Sequence, residues 1–228
     1  MGITEDLLQE EFNAMVKSVN AKKGFWVGRY ETSNMLGTAT TSYSNALNKA
    51  TVEADTTNRV TVIRGTTTGI SYDSTIPNFI NWYRMYAQQK NYSKLALGST
   101  TTTISSMIWG SQWDQIMIWM KEIKNTNQNS FYIVNAIGMG NYGTISGVDD
   151  GYSDTTAPAP TGCFEMKNVY DLAGNVYDWS LDANYTHYRV LRGGYCSGTN
   201  FSYTRAGSRD GVNPNSSDSG CGSRATLY

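Results

Sequence analysis

Glycine and asparagine break the last third of this chain into β-type runs of five residues or fewer: Val169–Asp171, Val176–Ser180 and Arg189–Arg192. Gly174-Asn175 separates the first two runs, and both residues tolerate the positive φ of a tight turn. Gly193-Gly194 ends the third and permits a bend or a backbone approach that a Cβ would block.

Upstream the periodicity is helical. Over residues 5–21, Leu8, Phe12, Met15, Val16 and Val19 recur on one face. Glu5, Asp6, Glu10 and Glu11 suit the start of that helix, and Lys22, Lys23 and Gly24 suit its end. Gly24–Thr32 is aromatic and β-branched and reads as a strand. Residues 33–58 are rich in Ser, Thr, Asn and Ala and read as loop, and Val60–Arg64 reads as a short strand. Pro77 fits the first turn of a second helix, with Phe79, Ile80, Tyr83, Tyr86 and Ala87 on one face. A third helix is expected from Ser111 to Lys124. Ser111 would cap it, with Asp114 completing a variant capping box. Trp113, Ile116, Met117, Met120 and Ile123 form its apolar face. Residues 125–165 carry few periodic runs, and Asp154–Thr161, with Pro158 and Pro160, reads as surface loop.

These elements imply an α+β fold: two or three helices packed on short antiparallel strands, with much irregular loop. The 228 residues suit one domain over 24–228, with the helix of residues 1–23 belonging to it. Charged residues make up only 16% and the formal net charge is −1, so the chain has no electrostatic footprint for nucleic acid. No apolar stretch is long enough for membrane insertion, and the acidic first helix is unlike a signal peptide. The cysteines, 163, 196 and 221, are odd in number and match no zinc spacing. They argue against a disulfide framework and leave a single Cys196–Cys221 pair open. His187 is the one histidine, which argues against a multi-histidine metal centre. Asp149-Asp150 lies in a Gly-rich loop and reads as solvated, and no nucleophile elbow supports a Ser-His-Asp triad.

The segment Tyr195–Cys221 is compositionally unusual. Lys, Glu, Gln, Met and Trp number 37 in the chain, yet none falls in these 27 residues. An even spread would place about four there. Every residue type present can be reached from an Asn codon ending in a pyrimidine by substituting its first two bases, the menu of adenine-directed mutagenesis. Tyr and Phe supply stiff contact area, while Ser, Asn and Gly supply adaptable hydrogen bonds, the mixture that antibody loops use.

Several motifs carry a resemblance. Asn168–Trp179 resembles the "N-x-x-D-L-x-G-N-V-W-E-W" signature of the formylglycine-generating-enzyme (sulfatase-modifying factor) family, and Arg189–Gly194 resembles its "R-V-x-R-G-G" strand. Arg205–Arg209 and Gly222–Arg224 stand where that family has "R-x-A-x-R" and "G-F-R". Phe25–Thr32 resembles its opening strand, and Gly110–Asp114 is a weaker echo of its "L-P-T-E-A-E-W-E" helix. The resemblance implies a C-type-lectin-type fold. It is nearest to the variable proteins of diversity-generating retroelements, whose variable region begins after "R-G-G".

On that resemblance, Arg205, Ala206, Arg209, Pro214, Gly222 and Arg224 are fixed. Tyr195, Cys196, Ser197, Asn200, Phe201, Ser202, Tyr203, Ser208, Asp210, Val212, Asn213, Asp218, Ser219 and Cys221 are the variable, solvent-facing ligand contacts. Arg192, Arg205, Arg209 and Arg224 are expected to pin loops through Asp171, Asp178 and Asp182. Oxidase members use two cysteines just after "R-G-G"; only Cys196 stands in 195–206, so that copper site cannot form. No cofactor is required. Calcium is the one metal the resemblance brings, through Gly174, Val176 and Asp178, with Asp in place of the usual Glu.

The implied function is non-catalytic binding of a protein or glycan receptor on a cell surface, from a phage tail or a bacterial surface, by a chain that can form a homo-oligomer. The competing reading is an oxidoreductase of the same family with an atypical active site.

Overall fold

The computed structural model describes residues 3–34, 60–61, 81–98, 100–121, 165–170, 172–173, 176–185, 187–194, 206–216 and 221–228. Helix α1 spans Glu5–Lys22. Thr4 caps it by accepting the Leu7 N–H at 3.2 Å, and Lys23 ends it in the left-handed region. Leu8 and Met15 are buried, and Phe12 and Val19 pack on the core from its edge. Val16, expected on that face, is exposed. It lies one residue round from Met15, past the edge of the buried stripe.

Strand β1 (Trp26–Val27) is shorter than the expected Gly24–Thr32 strand. The chain stays in the molecule after it: Glu31 and Thr32 are buried, and β2 (Ser33–Asn34) pairs with β3 (Val60–Thr61). Helix α2 covers Trp82–Leu97. Asn81 caps it through its Oδ1, which accepts the Arg84 N–H at 3.0 Å; Pro77, the expected start, lies outside the described residues. Trp82 and Met85 are fully buried, and Trp82 stacks on Tyr86 with centroids 5.4 Å apart. Glu11 holds α1 to α2, accepting from the Tyr86 hydroxyl at 2.6 Å and pairing with Lys90 at 2.8 Å.

Strand β4 (Ser105–Met107) leads into helix α3 (Gly110–Lys121). Trp113, Ile116 and Met120 are buried along it, as the period predicts. The expected cap is corrected. Ser111 is exposed inside the helix, the Trp109 N–H donates to Gln112 Oε1 at 3.0 Å, and the Gly110 N–H donates to Asp182 Oδ1 at 3.1 Å. Asp114 reaches out to Arg192 instead, at 2.6 Å. Orphan N–H groups take whichever acceptor lies nearest, and here that acceptor comes from a distant strand.

The remaining strands are β5 (Glu165–Met166), β6 (Val169–Tyr170), β7 (Tyr177–Asn184), β8 (Tyr188–Arg192), β9 (Arg209–Val212), β10 (Cys221–Ser223) and β11 (Ala225–Leu227). One sheet runs β1-β11-β4, so the first strand of the chain pairs with the last. The larger sheet runs β10-β7-β8-β9, antiparallel except for the parallel β10–β7 pair. The α+β arrangement of three described helices and short strands is the expected one. Its core has two clusters, one around Trp82, Trp109 and Trp179, the other around Ile108, Trp113 and Leu172. Among the described residues, no helix is long and apolar enough to cross a membrane.

Candidate functional site

Strand β8 ends at Arg192, and Gly193 and Gly194 follow it with φ angles of 87° and 73°. Both are buried. A Cβ on Gly193 would stand 2.9 Å from the Leu172 carbonyl and 3.1 Å from the Trp113 ring, so this position requires glycine twice over, for conformation and for space. Ala206, the next described residue, is fully buried, and its carbonyl accepts from Trp113 Nε1 at 2.9 Å. Trp113 therefore touches the described residues on both sides of 195–205. Residues 195–205 and 217–220 lie outside the described residues. With them go Tyr195, Cys196, Ser197, Asn200, Phe201, Ser202, Tyr203, Asp218, Ser219 and Arg205.

Beyond Ala206, the described residues are partly exposed and partly held by the frame. On β9, Asp210 is exposed and its carboxylate accepts the Gly211 N–H at 2.7 Å. Val212 is half-buried and packs on the Trp82 cluster. Asn213 is exposed, accepts the Asn215 N–H at 2.9 Å and builds the following turn, while the Pro214 carbonyl accepts from the Trp82 N–H at 3.1 Å. Two expectations are corrected. Ser208 is only 8% exposed and Cys221 only 5%. Cys221 opens β10 opposite Tyr177 and packs into the main core, and Ser208 follows the pinned Ala206 into the frame. Neither side chain faces solvent.

Arg209 and Arg224 meet two of the expected acids, while Arg192 takes Asp114, which was not among them. Arg192 pairs with Asp114 and lies over Trp113, Arg209 reaches Asp182 at 3.9 Å, and Arg224 meets Asp178 at 3.4 Å. Arg224 is fully buried, and its Nη1 also donates to the carbonyls of Gly28 and Arg29, at 2.9 and 3.2 Å. It joins β1's exit, β7 and the last strands at one point. Sequence reasoning paired these arginines with nearby acids and missed Asp114, because the β8–α3 contact spans 78 residues.

The same geometry bears on calcium. Gly174 lies outside the described residues, the Val176 N–H points at Glu31 Oε1 at 3.5 Å, and the Asp178 carboxylate faces a guanidinium. Asp178 Oδ1 is buried without a hydrogen bond. One acid already balanced by an arginine falls short of the roughly six to eight oxygens calcium takes. No group of three His, Cys, Asp or Glu side chains gathers among the described residues. The described part of this turn is a salt-bridged brace, and Gly174, one of the three expected calcium ligands, lies outside the described residues.

Burial pushes Asp178 up to about 6, outweighing the attraction and hydrogen bond of Arg224. Its folded value thus lies above the ordinary 3.8, and the folded state binds this proton more tightly than the unfolded chain. Stability from this group is therefore greatest in acid and falls as pH rises from about 4 to about 6. Asp178→Asn should flatten that limb in urea titrations at half-unit pH steps. An unchanged slope would assign it to another group.

No protein-family model matches the chain, and no curated protein matches it. Among solved structures the chain is similar to Treponema denticola variable protein 1, with 17% identity over 89% of this chain and 94% of that one and a TM-score of 0.47. It is also similar to PvdO from Pseudomonas aeruginosa, with 19% identity over 68% of this chain and 62% of that one and a TM-score of 0.45.

Proposed function

We propose that this chain is a non-catalytic binding protein, a stiff C-type-lectin-type frame that displays part of Tyr195–Cys221 to a ligand. More particularly, it is read as the variable protein of a diversity-generating retroelement, carried on a phage tail or a bacterial surface and directed at a protein or glycan receptor. One observation carries the reading: a 27-residue stretch drawn wholly from the adenine-mutagenesis menu begins at a glycine pair locked against Trp113 and is caught again at Ala206, Pro214 and Cys221. A frame pinned at its exits lowers the ordering cost of binding and lets residues between the pins change without unfolding it.

The burial of Ser208 and Cys221 narrows the display. Asp210 and Asn213 remain candidate contacts with the run of 195–205, while 208 and 221 belong to the frame. The family resemblance of the "R-G-G" and "G-N-V-Y-D-W" runs supports the same reading, and the lack of a second cysteine in 195–206 weighs against the oxidoreductase alternative.

The test is a substitution series read for ligand capture and for stability. Tyr195→Ala, Phe201→Ala and Tyr203→Ala should abolish capture while unfolding free energy stays within about 0.5 kcal/mol of the parent. Asp210 and Asn213 should accept most side chains, whereas large residues at 221 should cost about 1–3 kcal/mol through overpacking. A large stability loss from the aromatic substitutions would make those residues core and end the proposal. At the gene, a near-copy of the DNA for residues 193–224, differing chiefly at adenines and lying beside a reverse transcriptase, is expected. Its absence from the intact locus would remove the diversification claim.

A further inference from the structure

A groove of about 670 Å³ opens between β1, α3 and the turn joining β5 to β6, and none of its described lining comes from residues 206–216 or Cys221. Strand alternation builds one wall. Phe25 and Val27 pack on the core, so Trp26 between them points out and is 77% exposed. The helical period builds the other. Ile116 and Met120 face inward, which turns Trp119 outward at 45% exposure. Two large indoles left on the surface of one groove are a costly arrangement for folding and a common one for binding.

The turn at its rim is Lys167-Asn168, with φ of 49° and 64° at both residues. A two-residue hairpin of this kind ordinarily takes Asn-Gly or Asp-Gly, so a lysine there is held against its preference. The turn sets the Lys167 ammonium 4.4 Å from the centre of the Trp119 ring and 2.5 Å from the Trp119 carbonyl oxygen. Lys23 and Arg29 line the same groove, and among its described lining residues there is no carboxylate.

We propose that this groove binds an acidic saccharide, one whose sugar rings carry a carboxylate. The indole faces match the C–H faces of a pyranose ring. Arg29 can take the carboxylate in a two-pronged hydrogen bond, and the ammoniums of Lys23 and Lys167 add charge and donors. The Asn168 carboxamide offers both a donor and an acceptor, as a ring hydroxyl needs. A neutral sugar would offer no counter-charge to Lys23 and Arg29, which the described lining leaves without a carboxylate.

The purified chain would be titrated, with tryptophan fluorescence and calorimetry as readouts, against a galacturonic-acid tetramer and a sialic-acid-terminated trisaccharide. A neutral galactose tetramer and a tetraglutamate peptide serve as comparators. At least one acidic sugar should bind and quench fluorescence, and the neutral tetramer should bind at least about tenfold more weakly. Trp26→Ala and Lys167→Ala should each weaken binding roughly tenfold, the size of one stacked or charged contact. Because Trp26 is so exposed, Trp26→Ala should melt like the parent, which separates lost binding from lost fold. Failure of both acidic sugars to bind, indifference to the two substitutions, or equal binding of tetraglutamate would each overturn the proposal. Tyr195→Ala and Phe201→Ala should leave this binding unchanged, so the result stands apart from the fate of the variable face.

Discussion

Arg224→Ala should lower the unfolding free energy by about 3–5 kcal/mol at pH 7, the cost of removing one partner of a buried ion pair. Arg224 is fully enclosed, so the substitution leaves a cavity, strips the donor from the carbonyls of Gly28 and Arg29, and leaves the Asp178 carboxylate buried without its counter-charge. The loss should be smaller at pH 4, where Asp178, pushed up to about 6, is protonated in the folded chain and needs no counter-charge. It should also be smaller in an Asp178→Asn background, since the two residues share one interaction. Urea denaturation of the two single variants and the double variant, at pH 4 and pH 7, measures all three. A cost under about 1 kcal/mol, or strict additivity, would mean that the pair does not brace the turn.

Trp113→Ala should cost a similar amount, about 3–5 kcal/mol for truncating a fully buried tryptophan. Its local signature is more telling. The indole donates to the Ala206 carbonyl and packs against Gly193, so its removal loosens the two points between which residues 195–205 run. Amide exchange at Gly193, Gly194 and Ala206–Ser208 should accelerate far more than at Trp82 or Met85, which belong to the other core cluster. Trp113→Phe keeps much of the volume and strands the carbonyl, so it should cost about 1–3 kcal/mol. Uniform acceleration across the molecule would show that Trp113 supports the fold generally and has no special hold on the display segment.

Much of this arrangement follows from local chemistry. The apolar period of α1 and α3 placed both helices within a few residues of where they stand, because helical spacing depends only on neighbours three and four apart. The glycine pair at 193–194 reads as a bend in one dimension and is one in three. The arginine braces were legible as a set, since an arginine in a polar chain of few charges is expected to find an acid or a carbonyl. The groove with Trp26 and Trp119 was not legible. An aromatic in a strand or on a helix looks like core until the partner elements are known, and Trp113 and Trp119 on the same helix have opposite fates.

Of the expected variable contacts, the described ones divide for the same reason. Asp210 and Asn213 are open, Val212 is shared, and Ser208 and Cys221 are enclosed. All five sit in one polar, small-residue run, and nothing in that run distinguishes them. The division comes from the parallel pairing of β10 with β7, which puts Cys221 opposite Tyr177, and from the pinning of Ala206 by Trp113. Helix positions, turn glycines and the composition of the display segment were set by residue order alone, because each depends on interactions a few residues long. Which side chains face water was settled only by contacts spanning 44 to 196 residues, since exposure is a property of what covers a surface and the covering elements are distant in the chain.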